Sequence, residues 1–147
     1  MLPPPAQSEL HRRHVVVLID DEPCVLAALK RLLRKEPYEF LATHVPEEAI
    51  HWVLEKHASL LMADQRMPGV TGLEILELVM KCSPSTVRVM LTGHSDLSGV
   101  LRTSKIEAIQ RLIRKPWDAE ELKRSIQDLL RQREQGTPAD GPRISEG

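Results

Sequence analysis

Five apolar runs punctuate the chain, and each is followed by apolar residues at helical spacing. Val15–Ile19 is apolar throughout, with four of its five residues β-branched. A short continuous run of this kind predicts a strand buried on both faces. Behind it Val25, Leu26, Leu29, Leu32 and Leu33 recur at helical spacing, and Pro23 suits a helix first turn. Residues 38–44 predict a second, weaker strand. Pro46, Glu47 and Glu48 then open a helix with Ala49, Ile50, Val53 and Leu54 on one face. A third strand is predicted over 59–64, followed through QRMPGVTG by a helix carrying Leu73, Leu76, Val79 and Met80. A fourth covers 86–93. The helix after it, over 95–105, is weak, with Gly99 inside and only Leu97, Val100 and Leu101 as an apolar face. A fifth strand covers 108–115. Asp118 and Glu121 then form a capping-box-like start to a helix with Leu122, Ile126, Leu129 and Leu130 on one stripe.

Five β/α units in about 120 residues predict a parallel sheet with helices on both faces. Five are too few to close an eight-fold barrel, so the sheet is expected to be open and doubly wound. Right-handed crossovers then bring every strand's C-terminal end to one edge, where open α/β sheets bind their ligands. Residues 1–13, with three consecutive prolines, are expected to form a loose N-terminal arm, residues 14–133 the domain, and residues 134–147 a flexible tail or linker.

The polar residues at the strand ends carry the candidate chemistry. Strand one delivers Asp20 and Asp21, strand three Asp64, strand four Thr92 and then Gly93, strand five Lys115 and then Pro116. Taken singly, Asp64 reads as a helix cap, Thr92 as a turn hydroxyl and Lys115 as a solvated charge. Together they place three carboxylates, a hydroxyl and an ammonium on one sheet edge. Clustered carboxylates raise one another's pKa, and a hard divalent cation removes that penalty. Magnesium fits, because it takes one or two carboxylates and keeps waters for a phosphate. The ammonium and hydroxyl suit phosphoryl oxygens, and an aspartate can itself be the nucleophile.

Composition narrows the alternatives. Hydrophobic residues make up 41% and charged residues 28%, an ordinary globular balance, and a net charge of −1 gives no general attraction to nucleic acid or anionic lipid. Aromatics are only 3%, so the core must be aliphatic. Cys24 and Cys82 lie far apart, which suggests neither disulfide nor zinc site; both are expected to be small, buried or half-buried thiols. No run approaches the roughly 20 apolar residues of a membrane span, and the first residues lack a signal-peptide core. A cytoplasmic location is the expectation. No phosphate-loop or dinucleotide motif is present.

The fragments LIDDEP, MADQRMPGVTGLEIL, VMLTGHSD and LIRKPWDAEEL occur in that order, with 44 residues from Asp20 to Asp64, 28 more to Thr92 and 23 more to Lys115. In these, residues 14–133 resemble the receiver domain of two-component response regulators. The resemblance implies a flavodoxin-like (βα)5 sandwich with strand order 2-1-3-4-5. It implies that Asp64 is the phosphoacceptor. Asp21, Asp64 and the backbone carbonyl of Arg66 would hold Mg²⁺ or Mn²⁺, with Asp20 acting mostly through water. Thr92 resembles the switch hydroxyl, Gly93 follows it at the phosphoryl site, and Lys115 resembles the phosphoryl-pairing lysine, joined to Pro116 by a cis peptide. One position departs: where receivers often carry Tyr or Phe, three residues before the lysine, this chain has Leu112. Arg66 and His94, each two residues past a site residue, are expected to flank the site mouth and tune phosphate lifetime. Trp117 is either a surface anchor for a partner or a half-buried packing residue.

The function so implied is a phosphoacceptor signalling module rather than a conventional enzyme, catalysing only its own phosphorylation and dephosphorylation. The implied partners are a sensor histidine kinase or phosphotransfer protein and a downstream output domain or protein, with no direct contact to nucleic acid or membrane. A phosphorylation-dependent homodimer through helix four, strand five and helix five is also implied. A phosphohydrolase of the haloacid dehalogenase type would also use an aspartyl phosphate, but it needs a D-x-D at the first strand, where this chain has Asp20-Asp21. A degenerate receiver acting as a constitutive interaction domain is a third reading, which the full set of site residues argues against. Past residue 133 no further domain is legible, so the chain is expected to be a stand-alone receiver or part of a larger regulator. The KPW sequence followed by acids resembles receivers joined to cyclic-dinucleotide phosphodiesterase domains or histidine kinases.

Overall fold

The computed structural model describes residues 14–102, 106–136 and 143–145. Five strands alternate with five helices: β1 (Val15–Ile19), α1 (Pro23–Leu32), β2 (Glu39–Thr43), α2 (Pro46–Glu55), β3 (Leu60–Asp64), α3 (Gly72–Cys82), β4 (Val87–Thr92), α4 (His94–Leu101), β5 (Arg111–Arg114) and α5 (Ala119–Glu134). A short strand, β6 (Arg143–Ser145), follows. The sheet is parallel, in the order β2-β1-β3-β4-β5-β6. The first five strands have the order that the resemblance implies.

Alternation within the strands divides the core. Val16, Leu18, Leu60, Met62, Val89, Leu91 and Ile113 face Leu29 on α1, Leu33 at its end, and Leu122, Ile126 and Leu129 on α5. Val17, Ile19, Leu61, Ala63, Met90 and Leu112 face Ala49 and Val53 on α2, Ile75, Leu76 and Val79 on α3, and Val100 on α4. β1 is a continuous apolar run, β3 is apolar up to Asp64, and β4 is apolar but for Arg88 and Thr92, because both faces are covered. Fully burying one Leu or Ile contributes about 1.5–3 kcal/mol, and the aliphatic side chains make up most of the core, with Tyr38 buried among them.

The helix starts follow local chemistry. Proline occupies the first turns of α1 and α2. Thr71 caps α3 by accepting from the Glu74 amide at 3.2 Å, and Asp118 caps α5 by accepting from the Glu121 amide at 3.0 Å.

Four expectations differ from the structure. The fifth strand begins at Arg111, because Ile106–Ala108 forms a 3-10 turn; an apolar run alone does not separate strand from turn. The weak helix α4 begins at His94 and ends at Leu101, while residues 103–105 lie outside the described residues. Both cysteines are exposed, Cys24 in the first turn of α1 and Cys82 in the last of α3. Their helices bury other faces. In the span read as a tail, α5 runs one residue past 133, and β6 pairs in parallel with β5, Leu112 opposite Ile144. Three residues are too few to show a strand period.

Candidate functional site

The site forms where β1, β3 and β5 end. Asp64 is the last residue of β3 and Thr92 the last of β4, while Asp20 and Lys115 directly follow β1 and β5. The backbone locks these ends together. The Asp20 amide donates to the Thr43 carbonyl (3.2 Å), Gln65 to Leu91 (3.0 Å) and Lys115 to Thr92 (2.9 Å). The Lys115–Pro116 peptide is cis.

Carboxylate oxygens of Asp20, Asp21 and Asp64 all lie within 4.8 Å of one another. Lys115 faces two of them, with Nζ donating to Asp64 Oδ1 at 3.0 Å and to Asp20 Oδ2 at 3.4 Å. Asp20 is fully buried, and its Oδ1 also accepts from the Glu22 amide at 2.9 Å. An open cleft of about 510 Å³ above the cluster is lined by Asp21, Glu22, Asp64, Arg66, Met67, Pro68, Gly93 and Lys115.

One ammonium does not balance three acids. Burial pushes the Asp64 carboxyl above its ordinary value; the Lys115 hydrogen bond and charge pull it down, and Asp21 and Glu22 push it back up. Burial likewise raises Asp20, against the Glu22 amide and the Lys115 charge. Burial alone would lower the Lys115 ammonium, but its bond to Asp64 and the charges of both acids outweigh that and hold it above its ordinary value. Two buried acids and a more exposed third, short of positive charge, form a donor set for a hard divalent cation, with oxygen ligands only. These residues therefore fit Mg²⁺.

Asp21, Asp64, Arg66, Gly93 and Lys115 thus line one cleft, and the buried Asp20 joins them through its bond to Lys115. Thr92 stands behind it, buried, with its hydroxyl donating to the Gly93 carbonyl at 3.3 Å. Leu112 is fully buried against the α2–α4 side of the core. The His94 side chain lies outside the described residues. Trp117 is half-buried and packs against the α1–α5 side of the core.

Two contributors escaped the sequence reading. Glu22 lines the cleft; as a third acid directly after the pair, it was readable in principle. Gly72 opens α3, and a Cβ there would lie 2.5 Å from the Asp64 carbonyl oxygen. Its only signal was a glycine at a predicted helix start. Gln65 completes this junction: its carbonyl accepts from the Gly72 amide at 3.1 Å and its side chain from the Leu73 amide at 2.9 Å.

Comparison with known proteins agrees with this architecture. The model of the response regulator receiver domain matches residues 16–127, and the chain belongs to that family, a class of signalling modules of two-component systems. It is 33% identical over 106 residues to the hydrogenase transcriptional regulatory protein HoxA of Cupriavidus necator, covering 72% of this chain and 22% of that protein. It is 24% identical over 116 residues to sporulation initiation phosphotransferase F of Bacillus subtilis, covering 78% of this chain and 92% of that protein. The chain spans about a quarter of the length of the first curated relatives it matches (22%, 24% and 28%). Among solved structures, response regulator TrrA of Thermotoga maritima, in complex with Mg²⁺-BeF, is 27% identical with a TM-score of 0.69, over 79% of this chain and 98% of that one. The signal receiver domain of an HD domain-containing protein from Pseudomonas fluorescens is 26% identical with a TM-score of 0.77, over 85% of this chain and 92% of that one. Among the described residues, no helix is long and apolar enough to cross a membrane.

Proposed function

We infer that this domain accepts a phosphoryl group on Asp64 from the phosphohistidine of a sensor kinase or phosphotransfer protein. The observation that carries this reading is the cluster of Asp20, Asp21 and Asp64 within 4.8 Å, with Lys115 3.0 Å from Asp64. Asp21, Asp64 and the Arg66 carbonyl are the residues to hold Mg²⁺ or Mn²⁺, with Asp20 supporting them; the ion would neutralise the acids and the charge of the incoming phosphoryl oxygens.

The chain's own residues then act as follows. An Asp64 carboxylate oxygen attacks phosphorus, the P–N bond to the donor histidine breaks, and its electron pair returns to the imidazole. Lys115 moves its hydrogen bonds from Asp64 to a phosphoryl oxygen, stabilising charge where it accumulates. The Thr92 hydroxyl exchanges its weak bond to Gly93 for a phosphoryl oxygen, and α4, which starts at His94, follows it. Water attack at phosphorus later releases phosphate and restores Asp64. The change is read out through α4, β5 and α5. Leu112, without ring or hydroxyl, responds only by repacking, so the readout rests on displacement of α4 and on dimerisation or partner binding at that face.

The raised carboxyl pKa values set a pH dependence. Between the ordinary value of 3.8 and the raised native one, the folded protein holds protons that the unfolded chain has lost. The metal-free protein therefore loses stability from these groups as pH rises through that window. The Lys115 pairing has the same sign at the basic end: it contributes fully below pH 10.5 and is lost as pH passes the raised lysine value. Protons and Mg²⁺ compete for the same oxygens. Mg²⁺ affinity, measured by titration calorimetry, is expected to rise with pH through the carboxyl window, and flat affinity would contradict this site.

Arg66→Ala and His94→Ala are expected to change the rate of phosphate loss from Asp64 several-fold, because Arg66 lines the cleft and His94 directly follows Gly93 at its edge, so both positions would flank attacking water. Unchanged lifetimes in both variants, followed by loss of the phosphoryl mass adduct, would remove these residues from the account.

A further inference from the structure

A second surface has no role in phosphoryl chemistry. Between α2 and α3 lies a groove of about 530 Å³ whose walls include Ile50, Val70, Ile75 and Leu78. Leu78 is 49% exposed, and Leu54, one turn beyond Ile50 on α2, is 46% exposed. These are unusually open for leucines on helices whose other faces bury Val53 and Val79 completely. Glu47 and Ile50 on α2 are three residues apart, and Glu74 and Leu78 on α3 are four apart, so each wall of the trough carries an acid and an apolar residue on one helix face. At the end nearer the helix N-termini the groove is lined by Glu47 and Glu74, and neither Lys nor Arg is among its lining residues. Capping does not consume these acids. Thr71 caps α3 through its own oxygen, and Glu74 adds only a 3.3 Å bond from the Thr71 hydroxyl. Glu47 sits in the first turn of α2, where Pro46 already starts the helix.

We propose that the α2–α3 groove docks an amphipathic helix of a partner protein, whose apolar anchors fill the trough and whose Lys or Arg residues meet Glu47 and Glu74. A trough between two helices accepts side chains at i, i+3, i+4 and i+7 of a third, and the acidic rim selects a cationic one. This site is distinct from the α4–β5–α5 face. It touches the phosphoryl site through one loop: Arg66, Met67 and Pro68 line the acid cleft, Val70 lines the groove, and Gly69, at φ +80°, turns the chain between them. An occupant therefore rests against the segment that follows Asp64.

The test uses the whole chain and a synthetic helical peptide with leucines at i, i+3, i+4 and i+7 and lysines elsewhere. The expected result is saturable binding by fluorescence anisotropy, with amide shifts at Ile50, His51, Leu54, Ile75 and Leu78. Leu78→Glu, at an exposed position that tolerates a charge, is expected to weaken binding at least about tenfold. Glu47→Gln with Glu74→Gln is expected to weaken it several-fold and flatten its salt dependence. Leu78→Glu should leave the Asp64 phosphoryl adduct unchanged, which separates failure here from failure of the phosphoacceptor reading. Equal binding to Leu78→Glu, equal binding of a leucine–glutamate peptide, or shifts confined to Asp20, Asp21 and Asp64 would overturn the proposal. So would a dimer in light scattering that Leu78→Glu abolishes, since the groove would then serve a second copy of the chain.

Discussion

Lys115→Met is expected to slow phosphoryl transfer to Asp64 by about 100-fold, in the range found when a preorganised charge donor is removed from a reacting centre. The ammonium is only 20% exposed and bonds both Asp64 and Asp20. Methionine keeps a similar unbranched stem, so the change isolates the charge. Two effects follow from one substitution. The phosphoryl oxygens lose the cation that would receive their charge, and the acids lose the partner that offsets their burial. The metal-free variant should therefore be less stable than the parent above the carboxyl window, and Mg²⁺ should restore more stability to it than to the parent. Adduct accumulation by intact mass, with urea unfolding measured with and without Mg²⁺, checks both. A transfer rate equal to the parent's would remove Lys115 from the mechanism.

The second large effect is mechanical. Gly72→Ala is expected to destabilise the domain by about 2 kcal/mol, as for overpacking at a close-fitted position. The new Cβ would lie 2.5 Å from the Asp64 carbonyl oxygen and 2.9 Å from its carbon. Both neighbours are backbone, so no rotamer change relieves the contact. Either α3 must draw back from β3 or the Asp64 peptide must tilt, and each shifts the reacting carboxylate relative to Asp21 and Lys115. Phosphorylation should fall with stability. Gly99→Ala is the control, because nothing lies within 4 Å of a Cβ there and its φ is ordinary; an exposed helical alanine in α4 should stabilise by about 0.5–1 kcal/mol. Equal urea midpoints for Gly72→Ala and the parent would show that this junction has more room than the structure gives it.

Much of this architecture was legible in the residues, for physical reasons. Strands covered on both faces are largely apolar, so β1, β3 and the Val89–Leu91 stretch of β4 were visible as runs, and right-handed crossovers fixed which ends would share an edge. Asp20 and Asp64 stood out because each ends such a run with a charge, whereas Lys115 follows Arg114 and stood out by its place at a strand end. What was not legible depended on contacts without a sequence period. The 3-10 turn before β5 mixes Ile106 and Ala108 with Glu107, and the strand it precedes mixes Leu112 and Ile113 with two arginines, so polarity does not mark the boundary. The cysteines sit on helix faces that only packing could assign to solvent. Gly72 matters through one backbone distance, and the groove between α2 and α3 brings together Ile50, Val70 and Leu78 from two helices and a loop that share no sequence period. The buried Arg88 is similar. It reads as a strand residue, yet its guanidinium caps the carbonyls of Ala108 (2.8 Å), Pro84 (3.2 Å) and Thr86 (3.2 Å) at the far end of the sheet from the site.

The central claim is that Asp64, held by Lys115 beside Asp20 and Asp21, carries the phosphoryl group. Its most direct test is intact mass and peptide mapping after incubation with Mg²⁺ and acetyl phosphate. The account predicts one acid-stable, base-labile phosphoryl adduct on the parent, located at Asp64, and none on Asp64→Asn. No adduct on the parent, the same adduct on Asp64→Asn, or an adduct mapped to Asp20 or Asp21 would contradict it.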